Sequence, residues 1–200
     1  MEFEYDVALS FAGEDRQFVS ECAEIFHALG IKVFYDSYET DTLLGKDLYS
    51  FLSNIYQKHA RFAVVFISEA YKKKLWTKHE LKYICARVFA QEDEYLLPVK
   101  LDETELEEVP PTIGYILGDS PLKVAITIAR KINPALDVEL MISQLEYFLP
   151  DYTIKIIGSN VDFCCSTESF HASYPLSFLM ELYRQDLIET AFILPAIVPN

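Results

Sequence analysis

The single tryptophan of the chain, Trp76, stands four residues ahead of an acid, Glu80, in the stretch KLWTKHELKYICARVF, where an apolar helical stripe begins. Two readings of this pair compete. In the first, Thr77-x-x-Glu80 is a capping box: the Thr77 side chain accepts from the Glu80 amide, the Glu80 carboxylate reaches back to the Thr77 amide, and the indole is packing. In the second, Glu80 falls at the rim of the stripe set by Leu81, Ile84 and Cys85, so its carboxylate is half-buried and aimed inward. Burial raises the pKa of an acid, and an acid held that way in a cleft is a candidate for chemistry. Spacing alone leaves both readings open.

Other reactive types are less organised. Lys72-Lys73-Lys74 reads either as a solvated loop or as a local well for a phosphate-bearing ligand. His27, His59, His79 and His171 lack metal-ligand spacing, so no metal is expected. The four cysteines include no CxxC, and Cys164 adjoins Cys165, which suits neither a disulfide framework nor a zinc site and points to a reducing compartment. The chain contains no GxGxxG, GxxxxGK[ST] or GxSxG. Rossmann oxidoreductases, P-loop enzymes and α/β-hydrolases therefore lack their phosphate or nucleophile machinery here.

The elements that must position these residues alternate between strand-like and helix-like runs, the pattern of a parallel sheet with helices on both faces. YDVALSF (5–11) reads as the first strand, and GEDR opens a helix carrying Phe18, Val19, Cys22, Ile25, Phe26 and Leu29 at the helical period, stopped by Gly30. IKVFYD is the second strand. A long loop (37–46) leads to a helix with Leu48, Phe51, Leu52 and Ile55 on one face. RFAVVFIS is the continuous apolar run that a central strand buried on both faces requires. YLLPVK is a fourth strand, with Pro98 pointing to an edge or a bend, and TIGYI a short fifth. Ser120-Pro121 supplies an N-cap and a first-turn proline for a helix that Asn133-Pro134 ends. This places a first domain at 1–133.

The remainder, 134–200, is expected to form a small α+β extension of unknown role: a helix, two strands around a Ser159-Asn160 turn, a helix from about Pro175 to Thr190, and an apolar tail, AFILPAIVPN. Such a tail needs cover from the domain, a second copy or another protein.

With 200 residues and 51% hydrophobic content the chain is large enough for a real core. Its formal charge of −14 argues against nucleic acid or an anionic membrane as the main partner. No apolar run is long enough to span a bilayer, and the acidic MEFEYD start is unlike a signal peptide, so a cytoplasmic protein is expected. In open parallel sheets ligands bind outside the carboxyl ends of the strands. That rule selects Phe11-Ala12-Gly13, Tyr35-Asp36, Ser68-Glu69 and the 76–80 segment. A phosphorelay receiver shares the alternation, but its third strand would end in a phospho-accepting Asp where this one ends VVFIS; only Lys100 speaks for it.

Taken together, YDVALSFAGEDR with its Ser10-Phe11 pair, VFYD followed by LLGKDL, FAVVFISEAYKKKLWTKHEL with its W-x-x-x-E, and VPPTIGYI resemble a TIR (Toll/interleukin-1 receptor) domain of the bacterial NAD-cleaving type over residues 3–133. The resemblance implies a flavodoxin-like, doubly wound parallel sheet and makes Glu80 the catalytic acid of an NAD+ glycohydrolase or ADP-ribosyl cyclase. It implies NAD+ as substrate with no cofactor, and antiviral defence in bacteria as the setting, exercised by depleting NAD+ or by signalling to a separate effector or sensor. The same likeness implies a homo-oligomer completing the site. Trp76 would stack a base. Ser10, Phe11 and Gly13 would line the floor with backbone donors, Asp36 and Gly45 would belong to the loop side, and Lys46 or Lys74 would meet the pyrophosphate. Asp36, Glu39 and Asp41 are all candidates to face the ligand. Where some relatives place arginines after the first strand, this chain has Ala12 and Gly13, with Arg16 slightly later. The alternative is a non-catalytic TIR scaffold acting by self-association, in which Trp76 and Glu80 only pack and cap.

Overall fold

A computed structural model of the chain describes residues 3–36, 47–74, 81, 83–88, 94–166 and 171–185. The chain divides into two compact units, 1–27 with 31–128 and 28–30 with 129–200.

The first unit is built on five parallel strands in the order β2-β1-β3-β4-β5: β1 (Tyr5–Ser10), β2 (Val33–Phe34), β3 (Ala60–Ile67), β4 (Leu96–Lys100) and β5 (Ile116–Leu117). β3 occupies the centre, pairing with β1 (Val7↔Phe62, Ser10↔Val65) and with β4 (Ala63↔Leu96, Ile67↔Lys100). Seven of its eight residues are buried, which is why its sequence is a continuous apolar run rather than an alternation. Helix α1 (Arg16–Ala28) buries Val19, Cys22, Ala23, Ile25 and Phe26. It ends as expected: Gly30 takes φ +74°, and the Ile31 amide donates to the Phe26 carbonyl at 2.9 Å, satisfying a carbonyl of the last turn. Helix α2 (Leu48–Asn54) widens into a π turn (Ile55–His59) just before β3. The short α3 (Glu69–Lys73) follows β3, and a further helical stretch, α4, covers 83–88. In α5 (Pro121–Ile132) Ser120 and Pro121 stand at the start and Asn133 directly follows the end.

Two strand boundaries differ from the sequence reading. β2 holds only Val33 and Phe34 of IKVFYD, and β5 begins at Ile116, so most of TIGYI precedes the strand. Gly118 continues the approach to β4, its amide donating to the Lys100 carbonyl at 2.7 Å. Lys100 thus turns its backbone groups toward β5, while the Leu101 amide serves the Ile67 carbonyl on β3. By strand alternation the missing N–H of Pro98 falls on the β5 side, where the two-residue β5 pairs only with Val99 and Lys100. The proline costs the ladder nothing because no strand lies opposite it.

The second unit contains α6 (Val138–Phe148), an antiparallel sheet β6-β7-β8 (Tyr152–Ile157, Asn160–Cys165, His171–Pro175) and α7 (Leu176–Arg184). Asp137 caps α6 by accepting from the Leu140 amide at 3.0 Å. Ile154, Val161 and Phe163 are buried from the sheet, and Val138, Met141, Leu145, Leu176, Leu179 and Met180 from the helices. The extension has three strands, not two. β8 escapes sequence reading because its inward face is only Ala172 and Tyr174, both half-buried: it is held by its ladder with β7 (Cys164↔His171, Val161↔Tyr174) and by the Tyr174 ring, 5.8 Å from that of Phe163. The hairpin loop is Gly158-Ser159, with Gly158 at φ +59°, and Asn160 already pairs with Ile157. The expected turn is therefore one residue late. The apolar tail lies outside the described residues, as does the end of the expected 175–190 helix beyond Gln185. Among the described residues no helix is long and apolar enough to cross a membrane.

Candidate active site

The strand order reverses at β1: the chain steps to β2 on one side and returns to β3 on the other. Such a switch point opens a crevice beyond the carboxyl ends of β1 and β3. Of the residues selected from sequence, Ser10, Phe11, Gly13 and Asp36 are described there, whereas Trp76, Glu80, Gly45 and Lys46 lie outside the described residues, together with Thr77, Glu39 and Asp41.

The described residues form two groups. One surrounds the end of β2. Arg16, at the start of α1, meets Asp36 with both guanidinium nitrogens, at 2.8 and 2.7 Å. Its guanidinium also lies 5.1 Å from the centroid of the Phe11 ring and 5.9 Å from that of Tyr35, and these two rings are 5.6 Å apart. The pairing with Asp36 pushes the Arg16 pKa up, against an opposing effect of burial. Arg16 therefore supplies a cation beside Phe11 that sequence reading noted only as a late arginine. A bidentate pair fixes Asp36, the second residue after β2.

The other group joins the ends of β1 and β3 through α3. Ser10 is fully buried, and its Oγ lies 2.7 Å from the Tyr71 hydroxyl. The Tyr71 amide donates to Ser68 Oγ at 3.0 Å, the N-cap of α3, and Ser68 Oγ donates in turn to Asp15 Oδ2 at 2.6 Å. Asp15 sits in the 3-10 turn Gly13–Asp15 that follows β1. Its pKa is raised chiefly by burial, opposed by the Ser68 hydrogen bond and reinforced by Glu14 and Asp102. Asp102, after β4, accepts from the Glu69 and Thr104 amides at 2.9 and 2.8 Å. Burial pushes the Asp102 carboxyl up, but hydrogen bonds from Thr104 and the Glu69 amide outweigh it and hold it below the usual range. Gly13 is exposed, with no heavy atom within 4 Å of where a Cβ would stand. Its backbone is open to approach.

The lysine triplet is not an uncommitted phosphate well. Lys72 Nζ donates to the Glu105 carbonyl at 3.0 Å, Lys73 pairs with Glu69 at 2.6 Å, and Lys74 with Glu14 at 2.8 Å. Lys72 and Lys74 tie α3 and its end to neighbouring segments, while Lys73 pairs within the helix. Tyr71, the one buried position of α3, was missed from sequence; its only local signal is Ser68-x-x-Tyr71, the spacing of an N-cap to the amide it serves. Among the described residues no three His, Cys, Asp or Glu side chains are placed to hold a metal ion.

Known proteins share this stretch of chain. A protein of Aquimarina amphilecti named 3' cyclic ADP-D-ribose synthase AaTIR is 48% identical over 133 residues, covering 66% of this chain and 41% of that protein. The NAD(+) hydrolase TcpA of a Theionarchaea archaeon is 35% identical over 98 residues, covering 48% of this chain and 29% of that protein. The 2' cyclic ADP-D-ribose synthase BtTIR of Bacteroides thetaiotaomicron is 33% identical over 117 residues, covering 56% of this chain and 38% of that protein. The chain thus spans less than half the length of each of these relatives. The profile of the TIR domain matches residues 7–122, from within β1 into α5. With that profile spanning more than half of its 200 residues, over a sheet ordered β2-β1-β3-β4-β5, the chain belongs to the TIR domain family.

Proposed function

We propose that the chain cleaves the nicotinamide–ribose bond of NAD+, with Glu80 as the acid that steadies the reacting sugar. The observation that carries this reading is the 48% identity, over 133 residues, to a protein named as a cyclic ADP-ribose synthase. It is supported by a switch-point crevice at which Phe11, Arg16 and Asp36 converge.

The leaving nitrogen of NAD+ is cationic while bonded and departs neutral with the bonding pair, so no general acid is needed. Positive charge develops instead on the ribose. A carboxylate beside the sugar hydroxyls stabilises that oxocarbenium-like transition state, and this is the role of Glu80. Trp76 offers a flat face for a base, an interaction of about 1–3 kcal/mol in nucleotide sites. Ser10, Phe11 and Gly13 contribute backbone, with Asp36, Gly45 and Lys46 on the loop side. The cation is then captured by water, which loses a proton to give ADP-ribose, or by a ribose hydroxyl, which loses its proton to give a cyclic isomer. Exclusion of water favours the second course. The relatives' names cover both outcomes. The setting we assign is cytoplasmic defence against phage, with self-association of TIR surfaces completing the site and the product, or the loss of NAD+, acting on a separate effector.

The test follows nicotinamide release and resolves the adenine-containing product by chromatography, for the parent chain, Glu80→Ala and Glu80→Gln. Release by the parent and its loss in both variants is expected. A parent that releases no nicotinamide at high concentration with crowding agent, or a Glu80→Gln variant that retains full turnover, overturns the reading in favour of a scaffold.

A further inference from the structure

The stretch that carries Trp76 and Glu80 is bracketed by two buried anchors. On the near side Tyr71 is 1% exposed, and on the far side Leu81, directly after Glu80, is 2% exposed in the same apolar cluster. Apolar contact resists withdrawal of a ring but permits it to slide and tilt, because dispersion is non-directional. A hydrogen bond is not so permissive. The Tyr71 hydroxyl lies 2.7 Å from the fully buried Ser10 Oγ, in the last residue of β1. The backbone of the same tyrosine is tied through Ser68 Oγ to Asp15, in the turn that follows β1. Main chain and side chain of one residue are thus both referenced to the carboxyl end of β1, where the crevice opens.

We propose that the Ser10–Tyr71 hydroxyl pair is a positioning device that fixes, at the end of β1, the residue from which the chain departs toward Glu80. Neither hydroxyl touches the substrate. The inference deepens the NAD+-cleaving reading and rests on it. Its physical basis is that stabilising a developing charge depends steeply on placement, so that a displacement of about 1 Å costs on the order of a hundredfold in rate. Losing a hydroxyl that binds substrate raises KM; losing one that positions the acid lowers kcat and leaves KM alone.

The experiment measures steady-state nicotinamide release from NAD+ by the full chain and by Tyr71→Phe, Ser10→Ala and the double variant, with thermal midpoints as a folding control. Tyr71→Phe keeps the buried ring and removes one oxygen. Each single variant is expected to lower kcat about tenfold with KM within about twofold, and the double variant to be no worse than either single, since both remove the same bond. A Tyr71→Phe kcat within twofold of the parent, a KM rise at constant kcat for Ser10→Ala, or losses that multiply in the double variant would each overturn positioning while Glu80-dependent turnover persists. A parent without turnover fails the NAD+-cleaving reading itself, and the positioning role falls with it.

Discussion

Ser68 holds two interactions at once, and replacing it by alanine separates them. Its Oγ caps α3 by accepting from the buried Tyr71 amide at 3.0 Å and donates to Asp15 Oδ2 at 2.6 Å. Loss of an N-cap costs about 1 kcal/mol at any pH. A hydrogen bond to a carboxylate contributes about 1.5–3 kcal/mol when fully buried; Asp15 is only half-buried, so solvent screening reduces this to about 1 kcal/mol. Ser68→Ala is therefore expected to destabilise the fold by about 2 kcal/mol at pH 7.5. The sign of the pH dependence follows from Asp15, whose folded pKa is raised, first by burial. The folded state then holds its proton more tightly than the unfolded chain, so this group's contribution weakens as pH rises from the free to the folded carboxyl value. The Ser68 hydrogen bond opposes that rise in pKa; without it the loss deepens. Ser68→Ala thus hurts more at neutral pH than at acidic pH. Urea unfolding followed by circular dichroism, on Ser68→Ala, Asp15→Ala and the double variant, yields the coupling. About 1 kcal/mol at pH 7.5, shrinking on acidification, is expected; a coupling within the ~0.3–0.5 kcal/mol scatter of unconnected sites at pH 7.5 refutes the assignment.

Two further outcomes are expected. Arg87, 7% exposed, donates to the Tyr56 and Ala60 carbonyls at 3.1 and 2.7 Å, and its guanidinium lies 3.9 Å from the Tyr95 ring centroid; Arg87→Met removes the guanidinium from both carbonyls, while Tyr56 keeps the Tyr95 hydroxyl as donor, and should cost about 2 kcal/mol in urea unfolding, with a loss below about 1 kcal/mol counting against the role. Gly30→Ala meets no steric neighbour within 4 Å but forces a Cβ onto φ +74°, so the midpoint of thermal unfolding should fall by the equivalent of about 1 kcal/mol, and an unchanged or raised midpoint contradicts the strain argument.

Features whose cause is local were legible before any coordinates. The run RFAVVFIS read as a central strand buried on both faces, Gly30 could stop α1 because its backbone tolerates the left-handed turn, and Ser120-Pro121 marked a helix start. Strand β8 was not legible: His171, Ser173 and Pro175 face solvent and its inner face is only Ala172 and Tyr174, too short an alternation to announce it, while the β7 ladder and the Tyr174 ring against Phe163 and Phe178 hold it. The site divides in the same way. Phe11, Gly13 and Asp36 follow from the rule that ligands gather at carboxyl ends, and Ser10 from the likeness of YDVALSF to the TIR first strand. The bonds joining Ser10 to Tyr71, Ser68 to Asp15 and Arg16 to Asp36 link residues far apart in the chain, and no short-range periodicity encodes a partner that distant. The partners of the lysine triplet were hidden for a related reason, since charge composition cannot reveal which acids the fold brings within reach.

The placement of β1 between β2 and β3 also constrains biosynthesis. A nascent chain that has emerged only as far as the π turn can pair Val7 with Val33, but Tyr5 must wait for Ala60 before its other edge is covered. Until the ribosome has released β3, β1 is a half-dressed strand whose open side invites foreign pairing. Early synthesis is thus the interval in which this edge is most exposed to aggregation.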